Sequence, residues 1–237
     1  MECGKYMSVD KKQEFLDYMI HARIGIRVLA EHFLSLKNNS KNTIGIVNLA
    51  VDPVAIVSGI GHYVQQLCDL NYGSFPEFEI VGDRQARFAY IDVHLEYILM
   101  EIIKNAMRAT VEESERLKRL EHPPIEICIS TSKDDIIFRF RDQGGGIPLQ
   151  HQSKIWEYSF TTVKKDDDMD FLSSQARLSM QQATGGPIAG LGFGLPMSRV
   201  YAKYFGGMLD VRSVAGYGSD VFLRFPNITK FQSTVQI

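Results

Sequence analysis

The sequence lacks several features that would place it in a specialised class of protein. No uncharged apolar run approaches the roughly 18 residues that a membrane span needs, and the first residues resemble neither a signal peptide nor an Arg-rich transit peptide. The 26 Lys and Arg residues nearly balance the 28 Asp and Glu residues. Overall charge therefore gives no reason to expect a nucleic-acid partner or a membrane surface, and we expect a soluble globular protein.

Cysteine is also scarce. Cys3, Cys68 and Cys128 are widely separated and form no Cys-x-x-Cys pair, so the sequence encodes neither a disulfide framework nor a zinc site. A reducing compartment fits this usage best.

Glycine, in contrast, is concentrated in one part of the chain. Only 7 of the 19 glycines lie in residues 1–143, and the other 12 lie in the 94 residues from Gly144 onward. Because glycine is used where the backbone must take unusual conformations or approach a ligand closely, this second region is where a functional site is expected.

Residues 1–42 predict one long helix and a linker. Apolar residues alternate in steps of four and three on a helix from about Asp10 to Lys37; they are Phe15, Met19, Ala22, Ile26, Leu29, Phe33 and Leu36. Such a stripe requires helical partners. The pattern therefore indicates the C-terminal helix of a helical-bundle domain that is otherwise largely missing from this sequence.

Residues 43–237 predict an α/β sandwich, in which a mixed, largely antiparallel sheet carries helices on one face. Asp52 and Asp92 are predicted N-caps. Residues 163–190 are polar and weakly periodic, which is typical of a mobile lid. The predicted strands are Ile44–Leu49, Phe78–Val81, Arg87–Ile91, Ile125–Thr131, Ile136–Arg141, Met208–Val214 and Asp220–Phe225, and the helices are Val54–Leu70, Asp92 to about Leu120, and Pro196–Phe205.

Three short motifs could carry chemistry. Glu101, Asn105 and Arg108 share one face of the predicted long helix, because they are four and three residues apart. This spacing alone also fits a solvated helix with an intrahelical hydrogen bond.

The other two motifs are rich in glycine. Asp142 follows a predicted strand and precedes Gly144–Gly146, so its carboxylate could accept a hydrogen bond from a ligand amine while the backbone lets a flat ring approach. Residues 190–194 read Gly-Leu-Gly-Phe-Gly and lead into a helix, whose amide groups could bind phosphate. Neither a P-loop nor a dinucleotide-binding fingerprint fits this context.

Together, these three motifs resemble the GHKL superfamily of ATP-binding proteins, which implies the Bergerat fold. Within this superfamily, the amino-acid sequence is most similar to that of the mitochondrial α-ketoacid dehydrogenase kinases, which comprise branched-chain and pyruvate dehydrogenase kinases. The matching segments are Glu101-Ile-Ile-Lys-Asn-Ala-Met-Arg-Ala-Thr110, Phe160-Thr-Thr162 and Gly192-Phe-Gly-Leu-Pro-Met-Ser-Arg-Val-Tyr-Ala-Lys-Tyr-Phe-Gly-Gly207.

The resemblance implies a role for each matching residue. Asn105 would ligate Mg²⁺, Asp142 would accept from the adenine amino group of ATP, and Glu101 would orient or deprotonate the attacking hydroxyl. The nucleotide contacts would be Asn105, Arg108, Asp142, Gly144, Gly146, Thr161, Thr162, Ala189, Gly190, Gly192, Gly194 and Leu195. Backbone carbonyls of Ile155, Glu157, Phe160 and Gly186 fall where the family can hold K⁺.

The implied activity is that of a protein serine kinase, which would phosphorylate and inactivate the decarboxylase subunit of a mitochondrial α-ketoacid dehydrogenase complex. Tyr97 and the short C-terminal tail match the branched-chain kinases. The family also implies a mitochondrial matrix location, a homodimer, and docking to a lipoyl-bearing acyltransferase core through the helical domain.

Three other interpretations stay open. The chain could be a pyruvate dehydrogenase kinase, or a histidine autokinase with His21 as acceptor, although His21 lacks the surrounding residues typical of an acceptor box. It could also be a regulatory module that binds nucleotide without transferring phosphate.

Overall fold

The computed structural model describes residues 8–37, 42–162 and 192–227. The helices are α1 (Val9–Ser35), α2 (Pro53–Tyr72), α3 (Asp92–Arg116), α4 (Leu149–Gln152) and α5 (Gly194–Tyr204), with a short 3₁₀ helix at Lys154–Trp156. The strands are β1 (Thr43–Ile44), β2 (Val47–Val51), β3 (Phe78–Gly82), β4 (Phe88–Tyr90), β5 (Ile125–Thr131), β6 (Asp135–Asp142), β7 (Met208–Val214) and β8 (Gly218–Pro226). None of the helices in these ranges combines the length and the apolar character of a membrane span.

The predicted fold class is confirmed. The main sheet has five strands in the order β3-β5-β6-β8-β7, and only β3 and β5 pair in parallel. Side chains along β5 and β6 alternate between buried and partly exposed positions, as expected when helices cover one face of a sheet. The core under that face includes Leu95, Ile103, Phe138, Phe140 and Phe225.

The predicted strand Ile44–Leu49 is wrong. The chain turns at Gly45, whose φ of +59° suits glycine, and the segment becomes the two antiparallel strands β1 and β2. Strand β4 pairs with β2 to complete a separate three-stranded sheet. The sequence did not predict this small sheet, because its strands are too short to show a clear alternating pattern.

The two predicted N-caps have different outcomes. Asp52 caps α2, since its Oδ1 accepts from the backbone N–H of Ala55 at 3.0 Å. Asp92 is not a cap, because Ile91 holds the cap position and Asp92 is already helical. Its Oδ2 instead accepts from Asn48 Nδ2 at 2.9 Å, which ties α3 to β2.

Helix α1 leaves its predicted apolar stripe largely uncovered. Phe15, Ile26, Leu29 and Phe33 are each more than half exposed, whereas Ile24 is buried. On its inner side α1 packs against α5. The exposure agrees with a helix that needs further partners, and the division at residue 42 stays a prediction.

Candidate functional site

A cavity of about 510 Å³ lies between α3, the end of β6 and the start of α5. It brings together all three motifs that the sequence analysis singled out. The predicted residues that line it are Glu101, Asn105, Arg108, Asp142, Gly144, Gly146, Ile155, Phe160, Thr161, Thr162, Gly192, Gly194 and Leu195. Residues more than 90 positions apart in the chain therefore form one site.

The remaining predicted site residues do not line this cavity in the described chain. Glu157 lies in the segment between Ile155 and Phe160 but is not among the described lining residues. Gly186, Ala189, Gly190 and the predicted lid at 163–190 lie outside the described residues.

Glu101 is not a solvated helix residue. Its Oε1 lies 2.5 Å from Nζ of Lys104, whose side chain is only 4% exposed. Its Oε2 faces the start of α5, since a Cβ added to Gly194 would come within 2.1 Å of that oxygen. The carboxylate is thus held between a buried ammonium group and the N-terminus of α5, where only glycine leaves room for it.

Asp142 is a buried acceptor at the end of β6. Its Oδ1 accepts from the backbone N–H groups of Gly144 and Ser219, at 2.9 and 3.2 Å. Burial raises the pKa of this carboxyl from 3.8 to about 6, although both hydrogen bonds oppose the shift. Because both bonds go to Oδ1, Oδ2 is left to accept from a ligand.

The loop after Asp142 needs glycine because it packs closely against other parts of the protein. Gly146 has a φ of +68°, and a Cβ there would lie 2.1 Å from the carbonyl oxygen of Val214. At Gly144 a Cβ would lie 2.5 Å from the Cβ of Ala109 on α3. The loop therefore closes one end of the cavity against α3 and the β7–β8 hairpin, a reason for glycine that the sequence did not reveal.

Helix α5 presents an uncapped N-terminus to the cavity. It begins at Gly194, two residues before the predicted start, and Phe193 at the cap position makes no side-chain cap hydrogen bond. Gly192, Gly194 and Leu195 line the cavity at this end. The first N–H groups of a helix have no partner within the helix, and together with the helix dipole they favour an anionic ligand.

Two contacts at the cavity were not among those predicted from the sequence. Lys104, the partner of Glu101, stands within the quoted motif, and its spacing of three residues from Glu101 is the signal that could have found it. Ser219 contributes a backbone N–H from β8, a role that no side-chain pattern predicts.

His21 and Tyr97, which the sequence also singled out, are not among the described residues that line the cavity. His21 packs its ring on Tyr204, with 4.6 Å between ring centroids, and is not among the described lining residues. Tyr97, one turn before Glu101, packs on Tyr201, and burial raises the pKa of its hydroxyl. Tyr97 thus joins α3, the helix that carries Glu101, to α5.

Two family models match parts of this chain. Residues 91–229 match the family described as histidine kinase-, DNA gyrase B- and HSP90-like ATPase. Residues 1–48 match the family described as mitochondrial branched-chain alpha-ketoacid dehydrogenase kinase.

Individual curated proteins are similar over most of the chain. The mitochondrial pyruvate dehydrogenase (acetyl-transferring) kinase of Schizosaccharomyces pombe is 33% identical over 94% of this chain and 52% of its own length. The corresponding Arabidopsis thaliana kinase is 32% identical over 93% of this chain and 59% of its own length. Isozyme 4 of the human kinase is 34% identical over 89% of this chain and 50% of its own length. The chain thus spans about half the length of these relatives.

Proposed function

The chain belongs to the histidine kinase-, DNA gyrase B- and HSP90-like ATPase family, and on that basis we propose that it is an ATP-dependent protein serine kinase. Its substrate is the decarboxylase subunit of a mitochondrial α-ketoacid dehydrogenase complex, which it inactivates. The observation that carries this proposal is the convergence of Glu101, Asn105, Asp142 and the start of α5 on one cavity.

The two ends of the cavity suit the two ends of a nucleotide. At one end, Asp142 offers a buried acceptor for the adenine amino group. At the other end, the uncapped N-terminus of α5 suits the phosphates. Thr161 and Thr162 also line the cavity, where the family resemblance implies nucleotide contacts.

Asn105 fits a magnesium ion that is held jointly with the phosphates. No group of three or more His, Cys, Asp or Glu side chains suited to a metal occurs in the described residues, whereas the amide oxygen of Asn105 is a hard ligand inside the cavity. When bound, Mg²⁺ neutralises charge on the phosphates. The carbonyls of Ile155 and Phe160 would serve the K⁺ site that the family resemblance implies.

Glu101 is the residue that we assign to the attacking serine hydroxyl. Its carboxylate lies beside the proposed phosphate end of the cavity, and Lys104 fixes its orientation. A carboxylate there can accept the hydroxyl proton or align the hydroxyl with the γ-phosphoryl group. Most of the remaining catalysis is positioning and charge neutralisation.

For the substrate, we propose the branched-chain complex. The match of residues 1–48 to the branched-chain kinase family supports this choice, as does Tyr97 by resemblance. The pyruvate dehydrogenase complex is the second candidate, because the relatives described above are pyruvate dehydrogenase kinases. Docking to the lipoyl-bearing core, a homodimer and a mitochondrial matrix location belong to the same proposal.

Two substitutions on α3 test the proposal by separating binding from transfer. We expect Asn105→Ala to abolish Mg-ATP binding, because the metal loses its protein ligand. We expect Glu101→Gln to keep nucleotide binding but to slow phosphorylation of the decarboxylase subunit by roughly 100-fold or more. Binding is measured by titration calorimetry and transfer with labelled ATP.

Glu96→Gln is the matched control, since Glu96 is an exposed carboxylate on the same helix outside the cavity; it should leave both quantities unchanged. Wild-type transfer by Glu101→Gln would remove Glu101 from its role. Nucleotide binding without transfer to either decarboxylase subunit would favour a regulatory module, and acid-labile phosphate on His21 would favour an autokinase.

A further inference from the structure

Two polar side chains of α1 hold a segment that leads into the cavity. This segment, residues 154–160, is called the wall segment below. Gln13 Nε2 donates to the backbone carbonyl of Trp156 at 2.5 Å, and the hydroxyl of Tyr158 donates to Asp17 Oδ1. Gln13 and Asp17 are one helical turn apart, so both contacts come from the same face of α1.

The wall segment is itself part of the nucleotide site. Ile155 and Phe160, near its two ends, line the cavity. Ser159 has a φ of 68°, which is unusual for a residue with a side chain. Its N–H donates to the carbonyl of Gly192 at 3.0 Å, so the segment also positions a residue at the phosphate end. A strained conformation of this kind persists only when its surroundings hold it.

The wall segment lies between α1 and α5. The guanidinium of Arg199 on α5 sits 4.4 Å from the centroid of the Trp156 ring, and the rings of Tyr158 and Phe193 are 6.0 Å apart. A displacement of the segment would therefore also move the residues that it contacts at the start of α5. The contacts from α1 are hydrogen bonds, which are directional and so specify position more closely than apolar packing does.

We propose that Gln13 and Asp17 are positioning residues for the nucleotide site. By fixing Trp156 and Tyr158 they place Ile155, Phe160 and Gly192 around the nucleotide, and they thereby set its affinity. This inference rests on the proposed function in requiring that the cavity binds nucleotide. It also makes the outer helix α1, which contributes no described residue to the cavity lining, a part of the binding machinery.

The protonation states support the Tyr158 contact. Burial, together with the neighbouring Asp17, raises the pKa of the Tyr158 hydroxyl, so it stays neutral and continues to donate. Removing the hydroxyl leaves the ring contact with Phe193 in place. Tyr158→Phe is therefore a conservative variant that deletes one hydrogen bond.

The test measures Mg-ADP affinity by titration calorimetry in Tyr158→Phe, Asp17→Ala and Gln13→Ala. We expect each Kd to rise roughly fivefold or more, in the range of typical couplings between sites, and KM for ATP to rise more than kcat falls. The double variant Asp17→Ala/Tyr158→Phe should bind no more weakly than the weaker single variant, because both changes remove the same hydrogen bond.

Glu31→Gln is the matched control on α1, since Glu31 forms an exposed ion pair with Arg27 away from the wall segment; its Kd should equal that of the wild type. Wild-type affinity in Tyr158→Phe and Asp17→Ala would overturn the inference, as would losses that simply add in the double variant. If the unsubstituted chain fails to bind Mg-ADP, the proposed function itself fails. Wild-type binding that the substitutions leave unchanged overturns the positioning role alone.

Discussion

Asp142 combines a structural role with an unfavourable environment for its charge. It holds the loop after β6 through Gly144 and the start of β8 through Ser219. The burial that raises its pKa to about 6 favours the protonated form. A site that keeps such a carboxylate gives up stability near neutral pH, which is typical of residues kept for function.

This raised pKa predicts a pH dependence of stability. The folded state binds a proton on Asp142 more tightly than the unfolded chain, so the carboxyl stabilises the fold below about pH 4. That contribution falls as pH rises through about 6. The loss between pH 4.5 and 6.5 should be about 2 kcal/mol of the free energy of unfolding without ligand. Urea denaturation at pH 4.5, 5.5 and 6.5 measures it.

Asp142→Asn should flatten this slope, because the amide oxygen can still accept from Gly144 and Ser219 without becoming charged. It should also weaken ATP binding, since the ligand amine then meets a neutral acceptor. Asp210→Asn is the control, because Asp210 pairs with Arg212 on the surface. The same pH slope in Asp142→Asn and the wild type would rule out Asp142 as its source.

Gly146 and Gly59 should respond in opposite directions to alanine. At Gly146 the positive φ and the Val214 carbonyl leave no room for a Cβ, so Gly146→Ala should lower the free energy of unfolding by about 2 kcal/mol or more. Gly59 is an exposed residue of α2 with nothing within 4 Å of a Cβ. Gly59→Ala should therefore stabilise by about 0.5–1 kcal/mol.

Thermal and urea denaturation of both variants measure the difference. A Gly146→Ala variant as stable as the wild type would mean that the loop can move away from β7 without cost.

At the scale of whole elements, the aspartates at the N-termini of α2 and α3 make different contacts. Asp52 caps α2 and also pairs with Arg87 at 2.7 Å. Asp92 instead joins α3 to Asn48 on β2. Both aspartates precede an apolar helical pattern, so the sequence could not distinguish a cap from a tertiary hydrogen bond.

This difference predicts distinct effects of substitution. Asp52→Ala should destabilise by about 1 kcal/mol, and Asp52→Ser should recover most of that loss, because serine is also a good cap. Asp92→Ser should not recover the loss of Asp92→Ala, since a shorter hydroxyl side chain does not replace the carboxylate that Asn48 contacts. Free energies of unfolding for the four variants decide the matter. Equal recovery at both positions would contradict the assignment.

Most elements were predictable because their patterns are local. The alternating burial of β5 and β6 and the apolar face of α3 follow from side-chain spacing. The strands β1 and β2 were predicted as one strand because the turn at Gly45 falls inside the short apolar stretch Ile44–Val47. Helix α3 also ends at Arg116 rather than near Leu120, with Lys118 at a φ of 52° after it.

At the scale of the whole molecule, the sequence motifs lie around one cavity, but the contacts that support that cavity were not predicted. Glu101, Asp142 and Gly194 were found as motifs, and the fold places them around one cavity. The contacts of Gln13 and Asp17 with the wall segment join residues more than 140 positions apart. Such pairings depend on how the elements pack, so they leave no periodic signal in the sequence.

The apolar stripe of α1 is exposed, and the relatives are longer than this chain. The chain spans about half of each relative, and α1 carries apolar residues that the described part of this chain does not cover. The exposed stripe fits the proposal that α1 belongs to a helical domain, and docking through that domain is part of the same proposal.

Phosphoryl transfer from labelled ATP to purified decarboxylase subunits tests the central claim most directly. The branched-chain and pyruvate dehydrogenase subunits are each incubated with the protein, and the product is analysed for acid-stable phosphoserine. We predict phosphoserine on the branched-chain subunit at a rate that falls roughly 100-fold or more in Glu101→Gln. Nucleotide binding without phosphoserine on either subunit would contradict the account.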